Sequence, residues 1–131
     1  MTEKELSRYY ILTKEVEDLG RRVEELGDGV GSIKIKEINV NGTPTKVSIQ
    51  EKIAELNELY LEKRVSALEE YIKIERYIGN IEEPEMRMLL RYRFLDLLTW
   101  EQIAEKAYQE RTTIAKKVRR FLKSENSHNS H

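Results

Sequence analysis

Apolar residues in this chain recur at alternating spacings of three and four, and this periodicity restricts its fold more than any other feature. The first stretch with the pattern contains Tyr9, Leu12, Val16, Leu19, Val23 and Leu26. Such spacings place side chains along one side of an α-helix and form the seam of a coiled coil. Thr2 and Glu5 form a capping-box pattern before the stretch, and a Gly-Asp-Gly sequence at 27–29 follows it. The sequence therefore predicts a first long helix that begins after Thr2 and ends at 27–29.

A second long helix with a wider apolar face is predicted from Ile49 to about Tyr77. Ser48 and Glu51 form its capping box, and Gly79 with Asn80 provides its stop. The face has two adjacent stripes: Ile49, Ile53, Leu56 and Tyr60, then Leu61, Val65, Leu68 and Ile72. Two stripes are enough to pack on the first helix and on something else.

Together these helices predict an antiparallel, coiled-coil-like hairpin over residues 3–78 that serves dimerisation or partner binding. The seam of the first helix is covered either by a second copy of the chain, giving a homodimer, or by the second helix of the same chain. The connecting residues 29–47 lack helical periodicity and contain Asn41-Gly42, a strong signal for a two-residue β-turn. Pro44 limits the second arm to an edge strand or a loop. We expect a small exposed β-hairpin or an ordered loop there, in an otherwise all-α fold.

Three short helices are predicted after Pro84, which suits a helix start. Thr99 caps the second of them, with Gln102 three residues later. A turn over 108–110 leads into the last helix, from Arg111 to about Lys123. Expected domains are thus a helical hairpin at 1–80, a three-helix unit at 81–125 and a disordered polar tail at 126–131.

The last helix concentrates positive charge on one side. It carries six basic residues and no acidic one between Arg111 and Lys123. The chain has ten basic and six acidic residues after Pro84, a net charge of +4, which leaves −5 for the rest of the chain. Ile114, Val118, Phe121 and Leu122 form an inward stripe, so the basic side chains face outward.

Such an outward basic face indicates contact with the phosphates of double-stranded DNA, the alternative being a solvated face with no ligand. Base contacts are expected near the N-terminus of a helix that enters the major groove. The candidate DNA-binding residues are Gln109, Arg111, Thr112, Thr113, Lys116, Lys117, Arg119, Arg120 and Lys123. Arg111 lies towards the edge of the apolar face, where the alternative role is to hold the turn.

The stretch LLRYRFLDLLTWEQIAEKAYQERTTIAKKVRRFL resembles the helix-turn-helix of region 4 of bacterial sigma factors. It is more similar to the small sigma-region-4-like proteins of Gram-positive phages and prophages, which include the ArpU and RinA late transcription regulators. The resemblance covers about the last third of the chain. It implies a DNA-binding transcription regulator in the bacterial cytoplasm that also contacts RNA polymerase.

Two turn residues and two base-reading positions differ from this family's pattern. Tyr108 stands where the family usually has Gly, and Glu110 stands where Ser or Thr usually caps the helix. The base-reading Arg, Glu and Gln of sigma factors fall on Arg111, Thr112 and Lys116, so only the Arg is retained.

Other features exclude several classes of function. There is no cysteine, and the two histidines lie in the tail, so we expect no enzyme, cofactor or metal site. No apolar run approaches the roughly 18 residues of a membrane span. The alternative function is a coiled-coil module that sequesters a host or phage protein without binding DNA, with its contact between Leu61 and Ile72. We also expect Arg91 to pair with Asp96 or Glu105, and Trp100 to anchor the core.

Overall fold

The computed structural model describes residues 1–32 and 46–129, which form six α-helices and one π-helical segment. In chain order these are α1 Glu3–Leu6, α2 Arg8–Ser32, α3 Lys46–Gly79, α4 Pro84–Leu90, the π-helical segment Arg91–Leu95, α5 Trp100–Ala107 and α6 Arg111–Asn129. The described residues contain no β-strand, which confirms the all-α class. Residues 33–45, with most of the expected β-hairpin or loop, lie outside the described residues.

Local capping signals located two of the helix starts correctly, but the first long helix predicted after Thr2 is interrupted at Ser7, so that the capped helix is the short α1 and the long helix α2 begins at Arg8. The Thr2 hydroxyl accepts a hydrogen bond from the Glu5 amide at 3.1 Å, and the Glu5 carboxylate accepts one from the Thr2 amide at 3.2 Å. Thr99 and Gln102 make the same reciprocal pair at 3.2 and 2.9 Å. Pro84 occupies the first turn of α4. These interactions join residues only three positions apart, which is why the local sequence pattern indicated them.

Three further helix boundaries were predicted at the wrong residue. The first long helix does not end at 27–29 but continues to Ser32. The second begins at Lys46, so Ser48 lies inside it and is not its N-cap. The last helix runs six residues past Lys123 to Asn129. Glycine in a helix costs only about 1 kcal/mol, so a Gly-containing sequence does not by itself end one.

The described chain divides into two compact units, Met1–Ile11 with Leu68–His131, and Leu12–Ala67. The predicted boundary near residue 80 divides the chain differently and stays a prediction. Within the second unit, α2 and α3 are in contact. An added Cβ at Gly20 would lie 3.0 Å from Cε2 of Tyr60, and Lys63 pairs with Glu15 at 3.2 Å. Gly20 therefore leaves the space into which the Tyr60 ring packs.

The first unit contains the main hydrophobic core. Its side chains come from α1, α3, the turn after α3, α4, the π-helical segment, α5 and α6: Leu6, Ile74, Ile78, Ile81, Met86, Leu89, Leu90, Phe94, Leu95, Ile103, Ile114, Val118 and Leu122. Tyr9 meets Tyr71 edge to face, with ring centroids 5.4 Å apart. Trp100 packs against this core, as predicted for an anchor.

The π-helical segment after α4 contains a backbone hydrogen bond between residues five positions apart. The Asp96 amide donates it to the Arg91 carbonyl at 2.9 Å. Arg91 pairs with Glu75 of α3, with Nη2 2.6 Å from Oε1. The predicted pairing with Asp96 or Glu105 is therefore wrong. Glu75 lies 16 positions before Arg91 in the chain, on a different helix, so no spacing rule indicates this contact.

One apolar stripe of α3 is uncovered in the described structure. Ile49, Ile53, Leu56 and Tyr60 are half-buried, but Leu61, Val65, Leu68 and Ile72 are 46, 53, 56 and 48% exposed. We call the latter four residues the α3 stripe. Large apolar side chains at coiled-coil spacing on one exposed helix face form a candidate interaction surface.

Candidate nucleic-acid interface

The turn between α5 and α6 is made by Tyr108, Gln109 and Glu110. Tyr108 adopts the left-handed backbone conformation, with φ 54° and ψ 42°, and its amide bonds to the Ala104 carbonyl. The Glu110 carbonyl accepts the first helical hydrogen bond of α6, from the Ile114 amide at 3.1 Å. Tyr108 thus has the backbone geometry for which glycine is usually selected, and its side chain is 95% exposed.

Helix α6 is fixed by its apolar side. Ile114, Val118 and Leu122 are at most 3% exposed, and Phe121 packs partly buried against the same core, as the spacing predicted. Ala115 is buried as well, which the sequence did not indicate. Since this side faces the core, the opposite side of α6 is presented to solvent.

The nine predicted DNA-binding residues all lie on α6 or in the turn before it. Seven are exposed: Arg111, Thr112, Thr113, Lys116, Arg119, Arg120 and Lys123. Gln109 and Lys117 are half-buried. The structure brings the nine together on one element, but their side chains have different partners.

Gln109 and Lys117 form a network with Glu85 of α4. Lys117 Nζ donates to Glu85 Oε1 at 2.6 Å and to Gln109 Oε1 at 3.2 Å, and Gln109 Nε2 donates to Glu85 Oε1 at 3.3 Å. The hydrogen bond from Lys117 holds the pKa of the Glu85 carboxyl below its ordinary value. These contacts join the turn and α6 to the start of α4, which makes the two residues internal links.

Two arginines of the predicted set also have intramolecular partners. Arg111 Nη1 donates to Glu101 Oε1 of α5 at 2.7 Å, a contact that suits a residue holding the turn. Arg119 Nε lies 3.5 Å from Glu3 Oε2 of α1, and its guanidinium lies 5.8 Å from the centre of the Trp100 ring. Both arginines remain more than half exposed.

The side chains of five predicted residues have no ion pair or hydrogen bond within the described parts of the chain. They are Thr112, Thr113, Lys116, Arg120 and Lys123. Positions 112, 116, 120 and 123 are four, four and three apart, so they follow one face of the helix. We call Lys116, Arg120 and Lys123 the free cations of α6. The sequence located this face, but could not separate its free members from those already paired.

The free cations line one wall of a groove of about 720 Å³, together with Arg119. The opposite wall is formed by Thr2 and Glu3 at the start of α1. Asn126 Nδ2 of α6 donates to the Met1 carbonyl at 3.2 Å and holds the two walls together. Sequence reasoning missed the part of Glu3 in this site, because it lies 116 positions before Arg119.

Comparisons with protein-family models, curated proteins and solved structures gave no match for this chain. Within 1–32 and 46–129, no group of three or more His, Cys, Asp or Glu residues has metal-binding geometry. A helix that could cross a bilayer is also absent from this described part of the chain.

Proposed function

We propose that this chain is a DNA-binding transcription regulator of a phage or prophage, with α5, the turn and α6 acting as a helix-turn-helix. In this proposal α6 enters the major groove of duplex DNA. The observation that carries it is the position of the free cations, which follow one exposed face of a helix whose other face is buried. Unpaired cations on such a face can neutralise DNA phosphates without first losing an internal partner.

The N-terminal end of α6 supplies the side chains for reading bases. Thr112 and Thr113 are exposed there and have no side-chain partner among the described residues. Threonine can hydrogen-bond to base edges and can contact the methyl group of thymine. We propose that the free cations determine affinity and that the two threonines contribute to sequence preference.

Salt dependence of duplex binding tests the electrostatic part of this proposal. Each phosphate contact contributes about 0.9 to the slope of log K against log salt concentration. Lys116→Ala with Arg120→Ala should therefore make the slope shallower by roughly two units. The matched control, Lys73→Ala with Arg76→Ala, removes two exposed cations from α3 and should leave the slope unchanged. No binding to any duplex, or equal effects of the two double variants, would refute the proposal.

A contact with RNA polymerase is the second part of the proposal, and it is supported by the sigma-region-4 resemblance. Purified bacterial polymerase should bind the chain in gel filtration, with or without DNA. No shift at concentrations of tens of micromolar would remove this part and leave DNA binding standing, since a micromolar complex is populated there.

A second candidate function is protein interaction through the α3 stripe, and we propose a second copy of the chain as the occupant. Leu61 and Leu68 fall on d positions of a heptad, and Val65 and Ile72 fall on a positions. Leucine at d with β-branched residues at a favours parallel two-stranded coiled coils. Within one chain, the Glu15–Lys63 and Gly20–Tyr60 contacts support the predicted antiparallel pairing of α2 with α3, which leaves this stripe uncovered.

The charges that flank the α3 stripe also support a second copy of the chain as its partner. In this register Arg64 is a g position and Glu69 is the following e position of the partner helix. These are the positions that form salt bridges across a parallel dimer, and here their charges are opposite. The opposite charges of Arg64 and Glu69 therefore support a second copy of the chain as the partner of α3.

A charge swap tests the dimer against other partners. Arg64→Glu alone and Glu69→Arg alone should each weaken the dimer in sedimentation experiments, because like charges then meet across the interface. Mixing the two variants should restore a heterodimer, since both pairs become attractive again. A monomeric wild-type chain at tens of micromolar, or no recovery on mixing, would remove the dimer. A monomer that instead binds a purified host or phage protein through Leu61–Ile72 would favour the sequestering function.

A further inference from the structure

The groove between α1 and α6 combines four cations with one carboxylate. Lys116, Arg119, Arg120 and Lys123 line it, and Glu3 is the acidic residue among its lining side chains. Such an excess of positive charge in a concave site favours an anionic ligand. The Glu3 carboxylate, 3.5 Å from Arg119, already occupies part of the space in which an anionic ligand would meet these cations.

Glu3 is held in place by the packing of the chain around it. Leu6 is fully buried in the core, and the capping box of Thr2 and Glu5 fixes the first turn of α1. The hydrogen bond from Asn126 to the Met1 carbonyl adds a second attachment. Only the Glu3 side chain, and not the backbone of the N-terminal turn, has to move to release Arg119.

Two guanidinium groups of this region lie against the aromatic ring of Trp100. Arg93 lies 4.5 Å from the ring centre and Arg119 lies 5.8 Å from it. Burial lowers the pKa of the Arg93 guanidinium, Arg119 lowers it further, and Glu3 opposes both effects. The Glu3 carboxylate therefore balances two neighbouring guanidinium groups of like charge.

We infer that this groove binds a backbone phosphate of duplex DNA, and that the phosphate replaces the Glu3 carboxylate on Arg119. The inference rests on the proposed DNA-binding function. Phosphate and carboxylate oxygens both bind guanidinium groups, so a phosphate can take the place of the Glu3 carboxylate, which lies 3.5 Å from Arg119 Nε. Glu3 thereby reduces DNA affinity, because each binding event has to break its contact with Arg119.

Neutralising Glu3 tests this competition. Glu3→Gln should tighten duplex binding by roughly two- to fivefold, the range expected for releasing an exposed ion pair. It should also make the salt slope steeper by about one unit, since no carboxylate is left to take up a cation. Glu105→Gln removes the same charge from an exposed position of α5 and should change both quantities much less.

Arg119→Ala in the wild-type chain and in the Glu3→Gln chain tests whether the gain in DNA affinity arises in the groove. Arg119→Ala should weaken binding in the wild-type chain, because the phosphate loses its guanidinium, and it should cancel the gain in the Glu3→Gln chain. Thermal unfolding of each variant checks that the fold is retained.

The outcomes separate this inference from the proposed function. Wild-type binding with equal effects of Glu3→Gln and Glu105→Gln overturns the inference and leaves the proposed function standing. Tighter binding that persists in the Glu3→Gln, Arg119→Ala chain also overturns it. No duplex binding by any variant overturns both.

Discussion

The Glu75 carboxylate of α3 accepts hydrogen bonds from both Nε and Nη2 of Arg91, at 3.1 and 2.6 Å. This paired contact joins the long helix to the π-helical segment. It also lowers the pKa of the Glu75 carboxyl, mainly through the hydrogen bonds from Arg91, with burial acting in the opposite direction. Both side chains are 41% exposed, so the contact is partly screened by solvent.

We expect this pair to stabilise the fold at neutral pH and not in acid. A carboxyl with a lowered folded-state pKa stabilises the protein above its unfolded pKa, near 4.5, and loses that effect as the pH falls through the folded value. Glu75→Gln should lower the free energy of unfolding by up to about 1 kcal/mol at pH 7. Denaturant titrations below pH 3 should show a much smaller difference from wild type. An equal difference at both pH values would contradict the electrostatic account.

Two glycines of α2 should respond oppositely to alanine. Nothing lies within 4 Å of an added Cβ at Gly27, so Gly27→Ala should stabilise the chain by about 0.5–1 kcal/mol through helix propensity. At Gly20 the added carbon meets the Tyr60 ring at 3.0 Å, and overpacking costs about 1–3 kcal/mol. Gly20→Ala should therefore destabilise the chain in chemical denaturation. In a Tyr60→Ala background the same change should become stabilising, and a continued loss there would disprove the steric explanation.

The Tyr77 hydroxyl is buried and has no hydrogen-bond partner among the described residues. Burial raises the pKa of this phenol, with smaller contributions from Glu125 and Glu5. Tyr77→Phe removes an unsatisfied polar group and should leave stability unchanged or raise it by about 1 kcal/mol.

The Tyr77→Phe gain should increase in alkali. A raised folded-state pKa means that wild type loses stability as the pH rises past the unfolded value near 10, and the phenylalanine variant has no such loss. Tyr71→Phe, at a 37% exposed position, serves as the control and should be neutral. A loss of 1 kcal/mol or more in the Tyr77 variant would show that the hydroxyl has a partner in solution.

Tyr108 should be a site where glycine stabilises the fold. A left-handed backbone costs a side-chain-bearing residue about 1–2 kcal/mol, and Tyr108 is too exposed to recover this by packing. Tyr108→Gly should raise the free energy of unfolding by about 1 kcal/mol. Tyr108→Ala keeps the Cβ and should remain close to wild type, so an equal gain from alanine would point to the exposed ring instead of the backbone.

The parts of the fold that follow from contacts close in sequence were predictable. The Thr99–Gln102 capping box and the inward stripe of α6 are examples, because both depend on residues within eight positions of each other. The long-range contacts of the candidate site were not. The contacts of Glu85 with Lys117 and of Glu3 with Arg119 depend on how the helices pack. The sequence contains many other basic residues that could pair with either carboxylate, and no spacing rule selects among them. The helix ends at Ser32 and Asn129 were missed because the free-energy differences between neighbouring end positions are small.

The π-helical segment Arg91–Leu95 makes the fold sensitive to insertions and deletions as well as to substitutions. Each residue added to or removed from a helix rotates everything beyond it by about 100°. Leu90 and Leu95 are five positions apart and both buried, a separation that matches a five-residue hydrogen-bonded turn. Loss of one residue here would leave the composition almost unchanged, but it would put the second half of the core out of phase with the first. Alignments of related chains should therefore show this segment without gaps, even where the individual residues differ.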